Sequence, residues 1–169
     1  MQRSRKHCDA VVGFPARDFS ATHLAAVQRP LPSVIPAQRH VIISCYQTGV
    51  PQPPGFSWAN TLVTLFPSQV YTLTLLIHGV CIPNAFTDTA YEALYESGPN
   101  PSSGLLQTLN STYGVSVKLC QLCLTNDGYS NSDLLPFVET VPFSIKYIID
   151  NQIACNAIVV YDPYTLGGL

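Results

Sequence analysis

The segment HVIISCY at residues 40–46 is a continuous run of apolar and β-branched residues, and it decides the fold class. Such a run is typical of a β-strand that is buried on both faces of a sheet. A second buried strand is predicted in QVYTLTLLIHGV at 69–80, where Gly79 marks the exit. The segment between them, FSWANTLVTLF at 56–66, has helical periodicity, with one stripe made of Trp58, Leu62, Leu65 and Phe66. The order strand, helix, strand predicts a parallel pairing.

The remainder of the chain repeats this alternation. Further strands are predicted at 115–119, 139–143 and 156–162, helices at 87–97, 105–114 and 144–154, and a helical turn at 132–138. Ser144 is expected to cap the last helix, whose shared face holds Ile145, Ile148, Ile149 and Ile153. Because parallel neighbours need crossover connections, the pattern predicts a three-layer α/β fold with a mostly parallel five-stranded sheet. In such sheets the reactive groups lie at the carboxyl ends of the strands.

Composition and charge limit the classes of partner. Charged residues make up 11 % of the 169 residues and apolar residues 47 %, which favours a homo-oligomer that hides uncharged surface. Residues 1–39 hold six basic and two acidic side chains, and are rich in proline, so this tract is interpreted as a flexible or disordered N-terminal arm before a domain at 40–169. Nucleic acid is not expected as a partner, because the domain offers only Lys118 and Lys146 to phosphates.

Location and redox state are inferred from what the sequence lacks. It has neither an apolar run long enough to span a membrane nor a secretory signal, so no membrane contact and a cytoplasmic location are expected. Cysteines in such a chain are expected to be thiols rather than a disulfide framework. There are six: Cys8, Cys45, Cys81, Cys120, Cys123 and Cys155.

A candidate reactive thiol lies in VSVKLCQLCLTNDGYS at 115–130. Cys120 ends the third predicted strand and is expected to face the crevice rather than the core. A thiol at the first turn of a helix is stabilised as a thiolate by unpaired backbone N–H groups. Lys118 lies on the same strand face and is expected to add a positive charge. The residues alone leave two interpretations of Cys120 open, a nucleophile near neutral pH and a small buried thiol.

His78 ends the second predicted strand, in LLIHGVC. It is predicted either to share the crevice with Cys120 as a proton relay or thiolate partner, or to bond a neighbouring carbonyl. Cys81, three residues later, is assigned to packing or turn structure.

Other chemistries fit the motifs less well. A CxxC pair is half of many zinc sites, but no second CxxC or HxxxH is present, so no metal is expected. Phosphate-binding glycine motifs and the GxSxG motif are also missing. A dithiol–disulfide switch between Cys120 and Cys123 stays open.

The second half of the chain is similar to a known family. IHG at 77–79, a helix, and then GVSVKLCQLCLTNDGYSNSDLLPFVETVPFSIKYIIDNQIACNAIVVYDP at 114–163 resemble the DsrE/DsrF-like sulfur-relay family, including its small YchN-like members. The family's features fall in order on Gly114-Val115, Cys120, Leu134-Leu135, Val141-Pro142 and Gln152. The resemblance covers roughly residues 40–163.

The resemblance implies a flavodoxin-like domain that assembles as a trimer or hexamer. It further implies a carrier that takes sulfane sulfur as a persulfide on Cys120 and passes it from a donor to a partner thiol, without a cofactor. From the residues themselves, His78 and Lys118 are expected to tune this thiol and Cys123 to be a resolving thiol, although many relatives have no thiol at the position of Cys123. Two alternatives remain, a redox switch that needs both Cys120 and Cys123, and a non-catalytic oligomeric module that binds a small ligand.

Overall fold

The computed structural model of the chain describes residues 39–46, 53–66 and 71–161. The predicted arm at 1–39 lies outside the described residues, apart from Arg39, which begins the first strand. Among the described residues, no helix is both long enough and apolar enough to cross a membrane.

The described chain alternates strands and helices, as the sequence predicts. The strands are β1 (Arg39–Cys45), β2 (Tyr71–Ile77), β3 (Ser116–Cys120), β4 (Glu139–Val141) and β5 (Ile158–Tyr161). The α-helices are α1 (Pro54–Leu65), α2 (Asp88–Tyr95), α3 (Ser103–Ser111), α4 (Gln121–Asn126) and α5 (Ser144–Cys155). Two short 3₁₀ segments occupy Gly79–Ala85 and Asn131–Asp133, the second where a longer helical turn is predicted.

The sheet has the strand order β4-β3-β2-β1-β5, and each neighbouring pair is parallel. The chain moves in one direction across the sheet from β1 to β4 and then returns past three strands to β5. Because parallel crossovers are right-handed, the returning helix must lie on the face opposite to the others. Two separate apolar cores agree with this rule: α1, α3 and α4 pack on one face, and α5 packs on the other. The predicted three-layer, flavodoxin-like α/β fold is confirmed.

The buried face of α1 differs from the predicted stripe. The helix begins at Pro54 and buries Gly55, Phe56 and Ala59, whereas Leu65 and Phe66 are exposed. A Cβ at Gly55 would stand 3.3 Å from the Cγ2 atom of Ile43, so the glycine lets the helix lie close against β1. The buried face therefore combines one large ring, Phe56, with two small residues, Gly55 and Ala59, that let the helix approach the sheet closely.

The buried face of α5 is also narrower than predicted. Ile148 is buried with Ser144, one turn earlier, but the other three isoleucines of the predicted face are exposed: Ile145, Ile149 and Ile153. Ser144 is the first residue of the helix rather than its cap, which is Phe143. Of the four isoleucines only Ile148 packs against the sheet, with Tyr147 partly buried on the same core, so most of the apolar face stays uncovered.

A buried amide fixes the loop that follows β2. The Nδ2 atom of Asn100 donates to the carbonyl oxygens of Asn84 (3.0 Å) and Phe86 (2.7 Å), and its Oδ1 atom accepts from the N–H of Ser102 at 2.9 Å. Buried polar groups that are fully hydrogen-bonded hold one conformation. Asn100 thereby holds the end of the first 3₁₀ segment in place.

Candidate functional site

The candidate site lies at the carboxyl edge of the sheet, between β3 and β4. These strands are neighbours, yet the helices that follow them, α4 and α5, pack on opposite faces of the sheet. Such a divergence opens a crevice at the strand ends. Cys120 ends β3 and stands opposite Val141, which ends β4. The fold therefore places this thiol at the start of both helices.

Hydrogen-bond donors surround the sulfur of Cys120. Cys120 caps α4, and its Sγ accepts from the backbone N–H of Cys123 at 3.3 Å. The thiol of Cys123 and the N–H and hydroxyl groups of Ser144 also donate to it. Burial raises the pKa of the Cys120 thiol, but these hydrogen bonds outweigh it, so the pKa lies below its ordinary value. Cys120 thus lies at a helix start, as the sequence predicts, and its ionisation to a thiolate stays a prediction.

Cys120 is closed off from solvent, although the sequence places it in a crevice. Its exposed fraction is 0 %, because the first turn of α4 and the start of α5 close over the crevice. The backbone N–H of Leu122 donates to the carbonyl oxygen of Pro142 at 3.3 Å, which ties these two segments together. Cys123, in contrast, is partly exposed.

Cys123 has the opposite electrostatic bias. Burial raises the pKa of its thiol, and so do the hydrogen bond that it gives to Cys120 and the negative charges of Cys120 and Asp127. The backbone N–H of Gly79 acts in the other direction. The surroundings of the two thiols therefore shift their pKa values in opposite directions, downward for Cys120 and upward for Cys123.

Gly79, which the sequence identified only as a strand exit, lies beside the thiol pair. Its φ is +54°, a left-handed conformation that favours glycine, and an added Cβ would stand 2.4 Å from the ring of Tyr46. The turn at this residue points a backbone N–H at Cys123. Backbone donors carry no sequence signature, which is why residue patterns do not reveal this contact.

His78 lies at the same edge but bonds another partner. Its Nε2 atom is 2.8 Å from the hydroxyl of Ser44, and its ring lies 5.2 Å from that of Tyr46, centroid to centroid. Burial lowers the pKa of His78, which favours the neutral imidazole. The predicted relay to Cys120 stays a prediction.

Lys118 lies on the strand face predicted for it, two residues before Cys120. Its ammonium group forms an ion pair with Glu139, opposite it on β4. The groups that lower the pKa of Cys120 are N–H, S–H and O–H donors rather than this charge. A tuning role for Lys118 stays a prediction.

The expectation that the cysteines are thiols is wrong for Cys45, Cys81 and Cys155, which are disulfide-bonded. Cys45 and Cys81 form a disulfide. Cys45 stands opposite Ile77 in the strand register, and the 3₁₀ turn that begins at Gly79 brings Cys81 back beside it. Cys45 and Cys81 come together only because of the parallel register of β1 and β2. The spacing of the two cysteines in the sequence does not reveal that register. Cys155 is not a free thiol either, so the free thiols of the described residues are Cys120 and Cys123.

The described ranges contain no candidate metal site. Within 39–46, 53–66 and 71–161, no group of three or more His, Cys, Asp or Glu side chains is placed to hold a metal ion. The site is a pair of thiols among hydrogen-bond donors.

Ser144 offers a direct test of this electrostatic arrangement. In a Ser144→Ala variant the hydroxyl donor is lost, so we expect the pKa of Cys120 to rise toward its ordinary value. At a given pH below the pKa of Cys120, a smaller fraction of the thiol is then ionised. The pH profile of its alkylation by iodoacetamide should therefore move to higher pH. Trypsin cleavage after Lys118 and Lys146 isolates Cys120 and Cys123 on one peptide for mass spectrometry. Ser144→Thr should retain the original profile, and an unchanged profile in Ser144→Ala would contradict the assignment.

Two solved structures share this fold. MTH1491, a protein of unknown function from Methanobacterium thermoautotrophicum, matches with a TM-score of 0.56 and 16 % identity, over 73 % of this chain and 98 % of that one. The YchN protein from E. coli matches with a TM-score of 0.51 and 18 % identity, over the same shares of the two chains. No family model and no curated protein sequence matches. The resemblance to YchN-like proteins is confirmed at the level of the fold.

Proposed function

We propose that the chain is a sulfur carrier, which accepts sulfane sulfur as a persulfide on Cys120 and passes it to a partner thiol. The observation that carries the proposal is the set of hydrogen bonds that the Cys120 sulfur receives from Cys123 and Ser144. Thiolates, rather than thiols, are the nucleophiles of sulfur exchange. The fold shared with YchN agrees with the family resemblance of the sequence, and that resemblance implies the same function.

The chemistry needs only these side chains. The Cys120 thiolate attacks the terminal sulfur of the donor, a new S–S bond forms, and the donor leaves with the electron pair of its broken S–S bond. Donors that stabilise the thiolate also stabilise the anionic persulfide. A second thiolate then attacks the outer sulfur and releases Cys120. No cofactor takes part in these steps.

Burial of Cys120 bears on the class of donor. Its sulfur has no exposed surface, and the contact between Leu122 and Pro142 closes the crevice above it. A small inorganic polysulfide needs a smaller opening than the side chain of a donor protein. We therefore propose polysulfide as the probe donor.

The experiment is peptide mass spectrometry of the full chain after exposure to sodium polysulfide. We expect one added sulfur atom on the tryptic peptide 119–146, located at Cys120 by fragmentation, at early times in the native chain and lastingly in Cys123→Ser. A peptide that never gains sulfur would contradict the carrier function.

A thiol–disulfide switch is the second candidate, because the thiol of Cys123 contacts the sulfur of Cys120. It requires both cysteines, whereas storage of a persulfide requires only Cys120. The loss of two hydrogens from peptide 119–146 under mild oxidation, with no sulfur uptake from polysulfide by either the native chain or Cys123→Ser, would favour the switch.

We also propose a homo-oligomer, a trimer or hexamer, that covers the exposed isoleucines of α5. Ile145, Ile149 and Ile153 follow one another at single-turn spacing, and Ile153 is 80 % exposed. Apolar stripes of this kind mark protein–protein contacts. In a variant with Ile149→Glu and Ile153→Glu, buried charges would oppose assembly, so we expect a monomer by light scattering after size exclusion. Leu65→Glu, an exposed position on α1, is the matched control. A native monomer would contradict the proposal.

A cytoplasmic location stays a prediction. The disulfide between Cys45 and Cys81 argues against a cytoplasmic location, because disulfides persist mainly in oxidising compartments. Burial of both residues in the larger core argues the other way, because it keeps the disulfide away from soluble reductants.

A further inference from the structure

We infer that Cys123 resolves the Cys120 persulfide, so that the protein releases its sulfane sulfur as hydrogen sulfide and is left with a Cys120–Cys123 disulfide. This inference rests on the proposed function, because it begins from a persulfide on Cys120. It adds an outcome that a carrier with one cysteine does not have.

The geometry of the first turn of α4 places the attacking group. The backbone N–H of Cys123 lies 3.3 Å from the Sγ of Cys120, and the Cys123 thiol also hydrogen-bonds that same atom. In a persulfide, this Sγ becomes the inner sulfur, and the outer sulfur is one bond further away. Cys123 is therefore already in contact with the inner sulfur. Attack there expels the outer sulfur, whereas transfer to Cys123 would require contact with the outer one.

The step balances without another reactant. Cys123 loses its proton, and its sulfur forms a bond with the Sγ of Cys120. The bond between that Sγ and the outer sulfur breaks, and its electron pair leaves with the outer sulfur, which takes up the proton and departs as hydrogen sulfide. The outer sulfur gains two electrons, and the two cysteine sulfurs together lose them. A dithiol reductant would restore the free thiols.

The surroundings of Cys123 set when this step occurs. Asp127 and burial favour the protonated thiol, which does not attack, so the persulfide persists for a time. The backbone N–H of Gly79 supplies a hydrogen bond to the thiolate once it forms. Cys123 is also partly exposed, so its proton can leave to water. Release should therefore become faster as the pH rises.

The experiment compares the full chain with Cys123→Ser after loading with sodium polysulfide and removal of the excess by desalting. We expect the native chain to release sulfide, and its peptide 119–146 to lose two hydrogens relative to the dithiol. Because a neighbouring thiol acts at a high effective concentration, sulfide release from Cys123→Ser should be slower by about tenfold or more. Cys120→Ser supplies the background from other cysteines. Cys123→Ser should keep the added sulfur on Cys120.

The outcomes separate this inference from the function on which it rests. A native chain that holds its persulfide without releasing sulfide overturns the resolving role of Cys123 and leaves the carrier intact. A persulfide found on Cys123 overturns it as well, because the outer sulfur was then attacked. If neither the native chain nor Cys123→Ser gains sulfur, the proposed function itself fails.

Discussion

A Cys120→Ser variant is expected to take up no sulfur on the peptide that contains residue 120. The hydroxyl of serine is not ionised near neutral pH and is a poor nucleophile toward sulfur, so the attack on polysulfide is lost rather than weakened. The two side chains are similar in size, and a serine oxygen can still accept the N–H of Cys123 that caps α4. The measurement is intact and peptide mass spectrometry after polysulfide treatment.

The matched control for this variant is Cys123→Ser, which keeps the thiolate of Cys120 and should still gain one sulfur. Circular dichroism of both variants verifies that the fold is retained. Sulfur uptake by the peptide 119–146 of Cys120→Ser would place the acceptor on Cys123 and contradict the assignment of Cys120.

Phe86→Ala is expected to destabilise the fold strongly. Phe86 has an exposed fraction of 0 %, its ring centroid lies 4.7 Å from that of Tyr129, and its backbone bridges to Leu134. Removal of a buried phenylalanine ring leaves a cavity and costs about 3–5 kcal/mol of the free energy of unfolding. Denaturation by urea, followed by circular dichroism, measures this loss.

Phe66→Ala is the matched control, because the same atoms are removed from a ring that is 51 % exposed. We expect its free energy of unfolding to change by less than about 1 kcal/mol. If the two variants lose equal stability, the core described around Phe86 does not hold the domain together.

The strands and the site's position follow from sequence patterns. The apolar run at 40–46 overlaps β1, and the run at 69–80 contains β2, because a strand buried on both faces must be continuously apolar. The same logic put Cys120 at the carboxyl end of β3, where the fold collects reactive groups. The apolar runs in the sequence and the right-handedness of parallel crossovers were sufficient to predict these features.

Other features depend on contacts between distant segments. The exposure of Cys120 depends on where the start of α5 meets it, 24 positions later at Ser144, and the sequence indicated only that Ser144 begins a helix. The disulfide of Cys45 requires the register that brings β1 beside β2. Which face of α5 is exposed likewise depends on the rotation of the helix about its own axis where it packs on the sheet. Neither propensity nor periodicity encodes such geometry.

The return of the chain from one edge of the sheet to the other has a consequence for the order of folding. Val41 pairs with Ile158, which lies 117 positions later, whereas β2 follows β1 after a much shorter connection. Contacts at such separation form slowly, because the entropy of closing the loop must first be overcome. Until α5 has packed and β5 has paired with β1, the outer side of β1 is an unpaired edge. Strands of other chains can form hydrogen bonds with such an edge. The competition between correct folding and aggregation therefore depends on how quickly this last strand docks.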